Sequence, residues 1–143
     1  MKNKGIKAAL VGAGVLAAGA GAVAMAGFRT AVVRRDLTPE QEEERLEKSS
    51  WRDHLPEIRA GMDWFEKQAL EPVTIRSRDG LKLFGSYLEA PEARACVLLC
   101  HGYRSRGELD FALVLRLLYE HGCSLLVIDQ RAHGRSGGKY ITY

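Results

Sequence analysis

The feature that most constrains the fold is a pair of apolar runs separated by a helical pattern. Ala95–Cys100 is uninterrupted and apolar, which is typical of a strand buried on both faces of a parallel sheet. A helix is predicted over residues 109–120, with Gly122 as its C-terminal cap, and a second buried strand over Ser124–Ile128. Strand, helix and strand predict a right-handed βαβ unit and therefore an α/β fold. The predicted helix carries apolar residues at Leu109, Leu113, Leu117 and Leu118.

A β-hairpin is predicted before this unit. Apolar and polar residues alternate on both sides of an Asp79-Gly80 turn, at Val73 and Ile75 before it and at Leu81 and Leu83 after it. Alternation of this kind, interrupted by a turn dipeptide, is typical of two antiparallel strands. Residues 71–143 are therefore expected to form a hairpin followed by a βαβ unit.

The first residues differ from this body in composition. Residues 8–28 contain no charged side chain, and as a helix they would extend about 32 Å, which matches the hydrocarbon core of a bilayer. We expect residues 1–29 to form a single-pass membrane anchor. Lysines precede the segment and arginines follow it, so the charges leave its orientation open.

Two alternatives remain for this leader. Ala24-Met25-Ala26 fits a signal-peptide cleavage site, which would yield a secreted protein cut near Ala26. Residues 12–17 fit the G-x-G-x-x-A pattern of dinucleotide-binding proteins. However, residues 15–28 offer no polar side chain for the solvent face of a helix packed on a sheet. Dinucleotide binding is therefore the weakest of the three hypotheses.

Residues 30–70 are predicted to be a charged helical connector. Thr38 is expected as a helix N-cap, Pro39 in the first turn, and Gln41 as the partner that completes a capping box. A second helix is expected to pack its apolar face on the body, with a lipid-facing helix as the alternative. The apolar positions of that second helix are Trp51, Leu55, Ile58, Met62 and Phe65.

The charge pattern and the cysteines restrict the function classes. The net charge is only +3 and the positive residues form no single stripe, which argues against nucleic acid as a partner. Cys96, Cys100 and Cys123 lie in or beside predicted strands and are expected in the core as small apolar residues. Although His101 follows Cys100, no further ligand has metal-site spacing. We expect no metal and no cofactor.

Two motifs at the predicted strand ends resemble those of a known family. The first strand ends in His101-Gly102-Tyr103, and the second in Asp129-Gln130-Arg131-Ala132-His133-Gly134-Arg135-Ser136-Gly137-Gly138. At this spacing they resemble the opening of α/β-hydrolase serine hydrolases, most closely the serine aminopeptidase and monoacylglycerol lipase-like group. That group includes bacterial members with an N-terminal membrane segment. The resemblance covers about residues 73–138, and Ala132 stands where the family more often has glycine.

The resemblance implies hydrolysis of a small ester or amide by a serine nucleophile. The backbone N–H of Tyr103 would be one oxyanion-hole donor, since acyl transfer places negative charge on the carbonyl oxygen. His101 and Gly102 would shape the loop that carries this donor. A second, structural loop would contain Asp129, Arg131, His133, Gly134 and Ser136.

Residues 134–138 also match G-x-S-x-G, the pattern of a nucleophile elbow. An elbow requires a helix directly after the serine, and the sequence predicts none after Gly138, so Ser136 is interpreted as a loop residue.

By resemblance, the nucleophile, acid and histidine would follow Tyr143. Residues 1–143 are therefore expected to be a fragment without hydrolase activity, with Ala95–Cys100 as an exposed edge. The alternative is a noncatalytic, membrane-tethered interaction module.

Overall fold

The computed structural model describes residues 18–142. The chain divides between Val33 and Arg34 into two compact units, and residues 18–31 of the first unit are helical. Within the described residues, no helix combines the length and the apolar character that crossing a membrane requires. The predicted anchor at residues 8–28 is not confirmed, because residues 8–17 lie outside the described part. The G-x-G-x-x-A stretch at residues 12–17 also lies outside the described part.

The second unit contains a four-stranded mixed sheet with the order β1-β2-β4-β3. The hairpin is confirmed, because β1 (Glu71–Arg76) and β2 (Lys82–Leu88) pair antiparallel. β3 (Ala95–Cys100) and β4 (Cys123–Asp129) pair parallel with helices between them, as the βαβ prediction requires. β2 joins the two halves by pairing antiparallel with β4. The α/β fold class is therefore confirmed.

The connector forms two helices within the same compact unit as the sheet. α1 (Pro39–Glu47) begins with the predicted capping box. The Gln41 backbone N–H donates to Thr38 Oγ1 at 3.3 Å, and the Thr38 N–H donates to Gln41 Oε1 at 3.1 Å. These reciprocal bonds satisfy two donors at the start of the helix.

α2 (Leu55–Glu66) follows a short 3-10 turn, Arg52–His54, and packs on the body as predicted. Its buried residues are Leu55, Ile58 and Phe65, which follow the helical period. Phe65 joins the main core between the helices and the sheet. That core consists of Phe65, Leu88, Leu99, Leu115, Leu125 and Val127.

The helix predicted over residues 109–120 is interrupted at Phe111. The structure has a short α3 (Gly107–Asp110) and then α4 (Ala112–Glu120). Leu113 and Leu117, which were expected on the apolar face, are exposed, whereas Leu115 is fully buried. The reason is tertiary: α4 approaches α2 so closely that a Cβ at Gly61 would overlap the Ala112 carbonyl. This approach determines which side of α4 is covered.

Within the second unit, no described helix covers the other face of the sheet. Leu98 on β3 is 57% exposed and Ile75 on β1 is 61% exposed, and an apolar groove of about 490 Å³ runs between them. β3 also lies at the edge of the sheet, as expected. The prediction of buried cysteines is therefore wrong for Cys96 and Cys100, which are exposed because they share the uncovered face with Leu98. Cys123 is half-buried.

Candidate functional site

The two sequence motifs meet at one edge of the sheet. β3 and β4 are parallel neighbours, with Cys100 opposite Ile128, so both strands end at the same level. The loop after β3 and the loop after β4 consequently lie side by side. In open α/β sheets, ligands bind at the carboxyl ends of the strands. This edge is therefore the candidate site.

His101 and His133 link the two loops. Their rings contact each other edge to face, with centroids 4.7 Å apart. The Gln130 backbone N–H donates to His101 Nε2 at 3.2 Å, and the Arg104 N–H donates to His133 Nε2 at 3.2 Å. Each histidine thus accepts a backbone bond from the opposite loop.

The other ring nitrogens face carbonyl oxygens. His101 Nδ1 lies 2.8 Å from the Gly102 carbonyl, and His133 Nδ1 lies 2.9 Å from that of Arg131. A nitrogen that faces a carbonyl donates and one that faces an N–H accepts, so these contacts fit a ring that carries its proton on Nδ1. A ring whose two nitrogens are used in this way is not available as a general base.

Burial lowers the pKa of His133 below its ordinary value of 6.5. The bond to the Arg131 carbonyl opposes this shift, whereas electrostatic repulsion from His101, Arg104 and Arg34 adds to it. The imidazole therefore stays neutral through the neutral pH range. This matches the acceptor role that its Nε2 has toward Arg104.

The loop after β3 is held by Asp110, a residue that the sequence analysis did not select. Its Oδ2 accepts the Gly102 backbone N–H at 2.6 Å, and its Oδ1 accepts the hydroxyl of Ser105. Asp110 closes α3, which begins at Gly107. The available sequence signal was an acid a few residues after a strand-end glycine, and this is too common to be informative.

Tyr103 lies at the tip of this loop with its side chain half exposed. Its phenol oxygen accepts a bond from Arg104 Nε at 2.7 Å, and the Arg104 guanidinium also lies over its ring. Arg104 adopts a positive φ of 54°, a conformation that non-glycine residues rarely adopt. The loop is thus a tight turn that Asp110 and His133 hold on either side of Tyr103.

The loop after β4 is built around Asp129 and Ser136. Asp129 Oδ2 accepts from Arg135 twice, at 3.1 Å from the backbone N–H and at 2.9 Å from Nε. Ser136 is fully buried; its Oγ donates to the Asp129 carbonyl at 2.5 Å and accepts the Phe84 N–H at 2.8 Å. Gly134 has a positive φ of 48°, and a Cβ there would lie 2.7 Å from Asp129 Cγ.

The G-x-S-x-G stretch therefore lacks the geometry of a nucleophile elbow. Residues 130–142 contain no helix, so Ser136 is followed by a turn and not by the helix an elbow requires. Its hydroxyl has no exposed surface and uses both a donor and an acceptor bond inside the loop. A substrate carbonyl cannot reach it in this arrangement.

Arg131 joins the second loop to the hairpin turn. Its guanidinium contacts Asp79 through two bonds of 2.5 and 2.9 Å. The Arg131 contact holds the pKa of the Asp79 carboxyl well below its usual range, and the Ser77 hydroxyl acts in the same direction. The pair is exposed and acts as a surface clamp on the loop.

Arg34 is a second residue that the sequence analysis missed. Its Nη1 donates to the Ser136 carbonyl at 2.8 Å and its Nη2 to the Gly134 carbonyl at 2.7 Å. Its Nε pairs with Asp36 at 2.7 Å. These contacts join residues about a hundred positions apart, so no local sequence pattern could have predicted them.

Among residues 18–142, no cluster of His, Cys, Asp or Glu side chains could hold a metal ion.

Comparison with known proteins gives partial matches. No model of a known family matches the chain. The uncharacterized protein YqkD of Bacillus subtilis (strain 168) is 28% identical over 79 residues, which are 55% of this chain and 26% of YqkD. The chain therefore spans about a quarter of the length of this relative.

Solved structures also align with about half of the chain. The Pyrococcus furiosus esterase Pf2001 aligns with 34% identity and a TM-score of 0.45, over 52% of this chain and 30% of the esterase. The alpha/beta hydrolase GrgF from Penicillium sp. sh18 aligns with 26% identity and a TM-score of 0.42, over 48% and 24%. Each of these alignments leaves more than two thirds of the solved structure without a counterpart in this chain.

Proposed function

We propose that this chain is the N-terminal part of a serine hydrolase of the α/β-hydrolase type, which hydrolyses a small ester or amide. The observation that carries the proposal is the pairing of the His101 and His133 loops at the carboxyl edge of β3 and β4. The serine aminopeptidase and monoacylglycerol lipase-like group is the subgroup that the two motifs resemble. The proposal assigns the nucleophile, acid and base to none of the residues that the structure describes.

In this proposal the loop after β3 supplies one oxyanion donor. Acyl transfer develops negative charge on the substrate carbonyl oxygen, and a backbone N–H held in a rigid turn stabilises that charge without reorganising. The Tyr103 N–H takes this role, and His101, Gly102 and Asp110 position it. The support is the set of bonds that hold this turn at the sheet edge.

The second loop has a structural role in the proposal. Asp129, His133, Gly134 and Ser136 hold the first loop in place through the histidine contact and the buried Ser136 bonds. Arg131 attaches the same loop to the hairpin. Support for excluding Ser136 as the nucleophile comes from its complete burial.

The test uses the product of the complete reading frame, labelled with a fluorophosphonate and assayed on a nitrophenyl ester. Tyr103→Pro removes the backbone N–H, whereas the control Tyr103→Phe keeps it. We expect Tyr103→Pro to lower kcat by about 100- to 1,000-fold and Tyr103→Phe to have little effect. Equal kcat values in the two folded variants, or labelling of residues 1–143 alone, would contradict the assignment.

We also propose that residues 8–28 anchor the protein in a membrane. The support is their uncharged sequence and the helical conformation of residues 18–31. Carbonate extraction of cell membranes should leave the full chain in the pellet and release a variant lacking residues 1–29. Recovery of a mature protein cut near Ala26 would instead identify the leader as a signal peptide.

A second candidate function is a noncatalytic, membrane-tethered interaction module. It is favoured by the apolar groove on the uncovered sheet face, which includes Ile75 and Leu98. Function does not follow from fold alone, so the two candidates are separated by activity. A complete reading frame without fluorophosphonate labelling would favour the module.

A further inference from the structure

Arg34 is the first residue of the second compact unit, and it connects the start of the connector to the loop after β4. Its Nη1 donates to the Ser136 carbonyl at 2.8 Å and its Nη2 to the Gly134 carbonyl at 2.7 Å. Its backbone N–H donates to the Lys139 carbonyl at 2.9 Å. A single connector residue thus binds several backbone carbonyls of one distant loop.

The Arg34 guanidinium is fully used in these contacts. Its Nε donates to Asp36 at 2.7 Å, so each of its three nitrogens has an acceptor. The side chain is only 26% exposed, and a charged donor forms stronger hydrogen bonds than a neutral one. A lysine has a single nitrogen on a flexible stem and cannot reproduce this planar arrangement. The contact is therefore specific to arginine.

The loop that Arg34 binds contains two residues in the left-handed region. Ala132 has a φ of 60° and Gly134 a φ of 48°. Residues other than glycine rarely adopt this conformation, and it persists only where the surrounding structure fixes it. The Arg34 bonds to the Gly134 and Ser136 carbonyls lie directly after this segment. They are placed to hold it in its conformation.

His133 lies between Ala132 and Gly134 and connects this segment to the turn after β3. Its Nε2 accepts the Arg104 N–H at 3.2 Å. Burial is the main cause of the lowered pKa of His133, and the positive charge of Arg34 is among the groups that add to it. A guanidinium close to the imidazole accounts for that contribution.

We propose that Arg34 is a positioning residue for the turn that carries the Tyr103 N–H. Arg34 fixes the loop after β4, this loop fixes the ring of His133, and the ring holds the Arg104 N–H next to Tyr103. In this role Arg34 does not touch the substrate. Resting on the proposed function, the start of the connector is then part of the catalytic unit. A leader cut near Ala26 would leave Arg34 in the mature chain.

The first experiment measures hydrogen exchange of single backbone amides in the 143-residue chain at about pH 7.5, where His133 is neutral. The Arg104 amide reports the bond to His133. The Arg94 amide is the internal reference, because it donates to the Gly122 carbonyl at 2.8 Å at the amino ends of β3 and β4. Arg34→Gln should accelerate exchange at Arg104 at least about tenfold and leave exchange at Arg94 unchanged.

Two further variants define the cause. Arg34→Lys keeps the charge but loses the planar fork, so the Arg104 amide should exchange at a rate between those of wild type and Arg34→Gln. Arg34→Lys also replaces Arg34→Gln in every comparison if the latter does not fold. The matched control is Arg116→Gln, which removes a guanidinium paired with Glu120 on α4 and should change neither amide.

The second experiment measures kcat and KM of the complete protein on a nitrophenyl ester. A displaced oxyanion donor weakens binding of the transition state more than binding of the substrate. Arg34→Gln should therefore lower kcat by about 10- to 100-fold with little change in KM. Arg116→Gln should keep the wild-type kcat. Thermal unfolding checks that each variant is folded at the assay temperature.

The proposal is overturned if the Arg104 amide exchanges as slowly in Arg34→Gln as in wild type. Equal acceleration at Arg104 and Arg94 would also overturn it, since that result indicates a global loss of stability. So would an unchanged kcat in a folded, active Arg34→Gln enzyme. The exchange experiment does not involve turnover. A complete protein without fluorophosphonate labelling would therefore refute the proposed function and leave the contact between Arg34 and the turn to be judged by exchange alone.

Discussion

His101 and His133 join the loops after β3 and β4 through rings whose centroids lie 4.7 Å apart. Each ring accepts a backbone N–H from the other loop at Nε2 and faces a carbonyl of its own loop with Nδ1. The bond from the Arg104 N–H requires a neutral His133, because a proton on its Nε2 would remove the acceptor. The geometry of the site edge therefore depends on pH.

Acidification should destabilise the fold through His133. Its pKa is lowered in the folded state from 6.5, so the unfolded chain takes up the proton first as the pH falls. The free energy of unfolding is then unaffected by this group above 6.5 and decreases as the pH falls from 6.5 through the lowered pKa. Urea unfolding at about pH 7.5 and about pH 5.5 measures the difference.

His133→Gln should flatten that pH dependence. A pH dependence that persists in His133→Gln would assign the effect to another group.

Gly134→Ala should destabilise the chain more than Gly80→Ala does. Both glycines have positive φ, but a Cβ at Gly80 meets nothing within 4 Å, whereas one at Gly134 would lie 2.7 Å from Asp129 Cγ. Gly80→Ala carries only the backbone cost of about 1–2 kcal/mol. Gly134→Ala adds a steric overlap and should exceed about 2 kcal/mol. Denaturant unfolding measures the loss of stability in both variants. Equal losses would mean that the loop relaxes around the new methyl group.

Ser136→Ala should lower stability by about 1–3 kcal/mol because it leaves the Phe84 N–H and the Asp129 carbonyl without their buried partner. Thermal unfolding measures the loss, with Ser50→Ala at an exposed turn position as the control. In the complete protein, the same variant should keep its fluorophosphonate label. Loss of the label with stability unchanged would identify Ser136 as a nucleophile.

Asp110→Asn should loosen the turn before Tyr103. The amide cannot accept from both Gly102 and Ser105 as the carboxylate does, and a charged acceptor bond is worth about 1.5–3 kcal/mol. Hydrogen exchange of the Gly102 amide should accelerate. The control is Asp63→Asn, on the exposed side of α2, which should leave that exchange rate unchanged. If the Gly102 amide exchanged as slowly in Asp110→Asn as in wild type, Asp110 would not be the residue that holds the turn.

Alkylation should distinguish the cysteines in the folded 143-residue chain. Cys96 and Cys100 are exposed and Cys123 is half-buried, so iodoacetamide should modify the first two faster, since the rate depends on access to the thiol. Mass spectrometry after partial reaction measures the order. Protection of Cys96 and Cys100 in a sample that sediments as a dimer would mean that a second copy covers the sheet edge.

Much of the secondary structure could be predicted because it depends on neighbours in the chain. The capping box of Thr38 and Gln41 involves residues three positions apart, and the hairpin follows from two-residue alternation around Gly80. Parallel pairing of β3 and β4 follows from two apolar runs separated by a helix. The equal end points of β3 and β4 then place the two motifs at one edge of the sheet.

Tertiary structure alone decided the rest. The burial of Leu115 in place of Leu113 depends on how closely α4 approaches Gly61, and the exposure of Cys96 depends on which sheet face the helices cover. The contacts of Arg34 with the second loop join positions about a hundred residues apart. Periodicity specifies that a residue is apolar and which face it shares, but which face is covered depends on the packing of distant elements.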